Sequence, residues 1–179
     1  MINDLTSMQR GLYEYWLSLP RLEQSLLPHK SALRSSELIP MLENIGMAEF
    51  ICDYNLQVRH VGSGVDEKFY ETMQYQNAFD FTHENAHDFI NSHWQRVFTT
   101  PCATQMIIAS RPVGQNAFEL ISFHLPLLNS EGVAAHVISI FERGETLDHL
   151  EPNTQGLIYK EDILDFIYMD LGAGIPNNV

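Results

Sequence analysis

The stretch from Asn116 to Glu142 constrains the fold more than any other. Asn116–Leu128 carries Phe118, Leu120, Ile121, Phe123, Leu125 and Leu127, and Val133–Glu142 is a second β-like run. Asn129-Ser130-Glu131-Gly132 between them is a hairpin signal containing glycine. Ala103–Ser110 precedes them as a further candidate, so three strands follow one another as an antiparallel meander. Two shorter runs, Phe50–Tyr54 and Leu56–Val61, are separated by Asn55, a natural tight-turn residue. Gly62-Ser63-Gly64 breaks the second run and leads into a polar, short-helical segment over residues 65–75.

Three longer helical segments are read ahead of the tail. Residues 82–99 read as a helix with Thr82 as cap, a stripe of Ala86, Phe89/Ile90, Trp94, Val97 and Phe98, and Pro101 closing it. Leu5, Met8, Leu12, Tyr15/Trp16 and Leu19 recur every three or four residues, which predicts an amphipathic helix over 4–19, ended by Pro20. Ser35 or Ser36 caps a shorter helix running to Asn44, with Gly46 just past its end. The expected fold is therefore α+β: a five-stranded antiparallel sheet with helices on one face, preceded by an N-terminal amphipathic helix. The expected division is an N-terminal helical segment over 1–48, a core over 49–142 and an acidic C-terminal tail over 143–179. In that tail Lys160–Leu171 is apolar at 163, 164, 167, 168 and 171. This spacing predicts a short helix that either docks on its own sheet or is offered to a partner.

Charge narrows the class of activity. The 179 residues hold 10 Lys and Arg against 23 Asp and Glu, a net charge of −13, and the tail alone carries −5. Such a surface repels phosphate backbones and anionic lipid, so no nucleic-acid partner is expected. With 45% hydrophobic residues a real core is within reach. No apolar run reaches the roughly 18 residues of a membrane span. The first residues lack the basic start and apolar stretch of a signal peptide, and a cytoplasmic protein is expected. Cys52 and Cys102 are too few for a disulfide framework or a cysteine-only zinc site.

The order of elements is that of PAS domains, and three motifs strengthen the likeness: Leu12-Tyr13-Glu14-Tyr15-Trp16, Arg59-His60-Val61-Gly62, and Leu125-Pro126-Leu127-Leu128-Asn129-Ser130-Glu131-Gly132. Trp94-Gln95-Arg96-Val97-Phe98 followed by Pro101 fits the same pattern. Over about residues 10–142 the chain resembles the stand-alone, single-domain PAS proteins of alphaproteobacteria. The resemblance implies a sensory or adaptor module in bacterial signal transduction. Such a module binds a small molecule between sheet and helices, or a signalling protein, and often pairs through its N-terminal helix. It implies no catalysis.

Several residues are candidates for a site. His83-Glu84-Asn85-Ala86-His87 is a literal H-E-x-x-H, in which two histidines one helical turn apart share a zinc and the glutamate acts as base. This makes a small zinc hydrolase the rival reading. His93 falls where the extended motif has its third ligand, but Ile90 stands where that motif needs glycine for a chain reversal. On an unbroken helix His93 lies roughly 120° from the other two. Haem, held in some PAS sensors by a histidine of this helix, would use His87 or His93. PAS-type flavin photochemistry is rejected, because neither cysteine has the G-x-N-C-R-F neighbourhood it requires. A ligand between the sheet and helix 82–99 is expected to meet Phe79, Trp94, Phe98 and Phe123, with Arg59 as its polar contact. Against these stand their bland roles as core aromatics and a paired surface cation. A module with a filled core and no ligand is the third reading. The stripe of residues 4–19 is large enough to predict a homodimer built on that helix.

Overall fold

A computed structural model describes residues 5–22, 25–69, 72–151 and 155–176. Expectations that fall on residues 4, 70 and 71 lie outside the described residues. Among the described residues one antiparallel sheet dominates. Its strands are β1 (Ile45–Cys52), β2 (Asn55–Val61), β3 (Cys102–Ser110), β4 (Phe118–Leu128), β5 (Ala134–Thr146) and β6 (Ile163–Asp170). They lie in the order β2-β1-β5-β4-β3-β6. The helices are α1 (Ser7–Ser18), α2 (Ser35–Leu38), α3 (Ser63–Phe69) and α4 (Glu84–Thr99).

Two expectations are corrected. The sheet has six strands instead of five, because the segment read as a short helix pairs as β6 along β3, from Cys102–Asp170 to Ile108–Ile163. The apolar positions that fitted a helix also fit a strand in which Phe166 and Tyr168 point to one side and Met169 to the other. Ile, Phe and Tyr in so short a run favour the pleated form. The helices, moreover, cover both faces: α1 packs on one, while α3 and α4 lie over the other.

Helix α1 is fixed by its ends and its stripe. Thr6 and Gln9 form a reciprocal capping box. Leu12 and Trp16 are fully buried against Phe123, Leu125, Leu127, Ile138 and Ile140 of β4 and β5. Pro126 lies past the last β3–β4 pair, Thr104–His124, and its carbonyl accepts the indole N–H of Trp16 at 3.0 Å. The stripe expected to seek a twin is thus covered by its own sheet, which removes the motive for pairing through this helix.

Helix α4 starts one residue later than expected, with His83 as its cap in place of Thr82. The β1–β2 turn is made by Asp53 and Tyr54, not by Asn55, which opens β2. Tyr54 takes a left-handed φ of 60°, a conformation unfavourable for a bulky residue. Its N–H donates to Asn91 Oδ1 at 2.9 Å and its hydroxyl to Asp88 at 2.8 Å, which pins the turn to α4.

Candidate functional site

Strand alternation gives β4 and β5 two different faces. Phe123, Leu125, Ile138 and Ile140 face α1, while Ser122, His124, Val137, Ser139 and Phe141 face the other way. Between this second face and α3 and α4 lies a cavity of about 140 Å³. Val58 of β2, Val65 and Phe69 of α3, Trp94 of α4 and Met106 of β3 contribute to its wall. Ile158 and Ile163, from the segment expected as a C-terminal tail, also line it. Ile158 is held by backbone bonds to His83 N–H (2.8 Å) and Phe81 C=O (3.0 Å). Among the described residues, no Lys, Arg, Asp or Glu lines the cavity.

The polar groups concentrate on the sheet. Ser139 pairs across the ladder with His124, His124 with Thr104, and Thr104 with Tyr168, so the four side chains form one row over β5, β4, β3 and β6. His124 Nδ1 lies 2.6 Å from Ser139 Oγ and its Nε2 lies 2.8 Å from Ser122 Oγ. Trp94 stands edge-on to the imidazole at 5.1 Å. Burial away from water, reinforced by His93, pushes His124 down to about 3, so it is neutral at physiological pH. On α4, His93 is also buried and depressed to about 3, chiefly by desolvation and further by Arg96. Its Nδ1 lies 3.0 Å from the Tyr168 hydroxyl. His93 Nε2 and Thr104 Oγ1 are buried without a hydrogen-bond partner, a place where ordered water is commonly found.

The residues named from sequence fall in several places. Trp94 lines the cavity. Phe79 and Phe98 sit beside it in the cluster around Trp94 and Val97. Phe123 is on the opposite face, edge-on to Tyr13 of α1. Arg59 is also misplaced. Val58 takes the cavity side, its neighbour Arg59 points away, and the guanidinium pairs with Glu49 at 2.7 Å with nearly half its side chain exposed. The ladder is irregular here, since Val58 and His60 pair with consecutive residues of β1.

The histidines of the zinc motif are held apart in role. His83 precedes the helix, accepts from the Asn85 N–H and stacks on Tyr159 at 4.3 Å. His87 Nε2 faces the Thr82 carbonyl at 3.1 Å. Among the described residues no three His, Cys, Asp or Glu side chains converge as a metal site. Haem does not fit either: neither His87 nor His93 lines the cavity, and its volume suits a benzene-sized molecule, far smaller than a porphyrin. The reading from sequence missed Ser122, His124 and Ser139. Two polar residues two apart inside the apolar run 118–128 were the available signal, because that spacing puts both on one buried face.

Comparison with protein-family models gives no match, and none of the curated proteins compared matches. Among solved structures, the chain is similar to one described as an RNA-binding Light-Oxygen-Voltage receptor. The TM-score is 0.49 at 14% identity, over 69% of this chain and 36% of that one. At that distance nothing about fold or function follows from the likeness. Among the described residues no helix is long and apolar enough to cross a membrane.

Proposed function

We propose that this chain is a PAS-like sensory domain that takes a small molecule into the cavity between its sheet and α4 and signals to a partner protein, in the cytoplasm of a bacterium. The observation that carries the reading is the cavity itself: a space walled by apolar side chains of five strands and of α3 and α4, with a buried polar cluster at His124. Sites for small molecules have this composition, an apolar enclosure with few polar groups that orient the ligand. The PAS-like motifs support it by position. Leu12–Trp16 lies within α1, Arg59–Gly62 ends β2 ahead of α3, and Leu125–Gly132 forms the β4–β5 turn.

Benzene is the simplest probe, since it enters apolar cavities of about 150 Å³. In a methyl NMR titration, Val58, Val65, Val137, Ile108 and Ile158 are expected to shift, while Leu12, Leu127 and Ile138 across the sheet stay in place. No shift at the cavity methyls would defeat the reading.

A further inference from the structure

The two edges of the sheet end differently. At β2 the outer side is occupied: the Val58 N–H donates to the Gln76 carbonyl and the Val58 carbonyl accepts from the Tyr75 N–H, both at 2.9 Å. At the other end lies β6, and among the described residues no segment pairs with its outer side. The Phe166 N–H donates to Oδ1 of the preceding Asp165 at 2.8 Å, so this amide faces away from β3. By the period of two, the main-chain groups of Tyr168 face the same way. Such an open edge is a template for another strand. Beside it, between α4 and β6, runs a groove of about 230 Å³ lined by Phe89, Lys160, Ile163, Leu164, Asp165 and Phe166. Phe89 and Phe166 meet edge-on at 5.3 Å, and Leu164 is 47% exposed. Glu161, Asp165 and Asp170 are exposed along the same stretch, while Asp162 is buried and paired with Arg111.

We propose that the outer edge of β6 docks an extended segment of a partner protein, added as a further antiparallel strand, in which apolar residues alternate with Lys or Arg. Main-chain pairing supplies the hold, and alternate side chains supply the choice of partner. Directly opposed residues of an antiparallel pair put their side chains on one face. Partner residues opposite Phe166 and Tyr168 therefore fall on the groove side, where Phe89 and Leu164 offer apolar contact and Lys160 repels a cation. The residues between them fall on the face of Asp165, whose carboxylate takes a cation. Asp165 then gives up the Phe166 N–H, which donates to a partner carbonyl instead. A second copy of this chain is a poor occupant, because its β6 brings the same acids and each chain carries −13. Ile163 lines both the groove and the ligand cavity, which puts the docking edge one side chain from the cavity. The edge's role as signalling output rests on the proposed function; the docking itself does not.

The probe is the end-capped peptide Lys-Val-Lys-Val-Lys-Val-Lys, with two relatives of equal charge that carry N-methyl groups on the three valines or on three of the lysines. Titrated into the whole protein, the parent peptide should shift the Ile163 and Leu164 methyls and protect the Phe166 and Tyr168 amides from hydrogen exchange. The Val58 and Val137 methyls should stay in place. In the antiparallel arrangement the valine N–H groups point at β6, so methylating them should weaken binding about tenfold or more, the loss of one or more hydrogen bonds. Methylating the lysines should leave affinity unchanged. Asp165→Lys, an exposed substitution, should weaken the parent peptide about two- to fivefold. Equal affinity for all three peptides would mean that charge alone holds them and would overturn strand addition. Loss on lysine methylation alone would overturn the antiparallel arrangement. Failure of the parent peptide to bind removes the docking edge and leaves the cavity reading standing; failure of benzene to bind does the reverse.

Discussion

The two faces of the sheet are built from the same strands and do opposite things. On the α1 side, Phe123, Leu125 and Leu127 of β4 and Ile138 and Ile140 of β5 meet Leu12 and Trp16 and are fully buried. On the α4 side, the residues between them are Ser122, His124, Val137, Ser139 and Phe141, and a cavity remains. One face is committed to packing. The other gives up packing, since hydroxyl and imidazole groups stand where aliphatic side chains would fill space, and each needs a hydrogen-bonding partner. The difference also explains how α1 closes the fold without a second copy: its stripe has a complementary apolar face within the chain.

The largest expected effect tests this contrast directly. Phe123→Ala should cost about 3–5 kcal/mol, because truncating a large side chain on a close-packed face leaves a void. Val137→Ile, on the cavity face, adds one methylene where space exists, so stability should change by no more than about 1 kcal/mol while benzene binding weakens. Urea unfolding measures both. Comparable losses from the two substitutions would mean that the faces are packed alike.

A second effect separates the faces by pH. His93 and His124 lie on the α4 side and are depressed to about 3 in the folded protein, against about 6.5 in an unfolded chain. As pH falls below 6.5 the unfolded chain takes up protons that the folded one refuses, so stability is full above 6.5 and declines toward pH 3. Each histidine should account for a loss of roughly 2–3 kcal/mol between pH 7 and 4.5. Comparing wild type with His124→Gln isolates one share from the acid response of the carboxylates. Parallel stability-versus-pH curves for the two proteins would show that His124 titrates normally and is not sealed under α4.

Much of the core architecture was legible in the sequence, and the reasons are local. The hairpin at Asn129–Gly132, the strand candidate over 103–110 and the helix over 82–99 are found within a residue or two of those positions, with β5 continuing to Thr146. Each rests on a periodicity or a turn residue that acts over short range. Segment 163–170 was not legible, because apolar residues at 163, 164, 167 and 168 satisfy a helical stripe and a half-covered strand alike. Its state was decided by the free edge of β3, a partner about sixty residues away. The site was harder to read. Aromatic size pointed to Phe79, Phe98 and Phe123, yet large side chains fill space, and the cavity lies where Ala48, Val58 and Ser139 leave it. The identity of the polar cluster depended on cross-strand register, which joins Ser139 to His124 and His124 to Thr104.

The smallest expected effect concerns Arg59, the residue that alternation moved to the other side. Its guanidinium lies 2.7 Å from Glu49, with 45% of its side chain exposed, and such half-exposed pairs contribute about 0–1 kcal/mol. Arg59→Ala should therefore cost less than about 1 kcal/mol at neutral pH. Benzene affinity should not change, because the side chain points away from the cavity. A second readout lies at His136, whose Nε2 is 3.6 Å from Glu49. His136 is held below its ordinary range first by desolvation and then by Lys30, with Arg59 and His29 adding to the depression and Glu49 opposing it. Removing the Arg59 cation should raise the His136 midpoint, visible in its imidazole proton resonances. A several-fold loss of benzene binding in Arg59→Ala, with His136 unmoved, would return the guanidinium to the cavity and reverse the assignment of the two faces along β2.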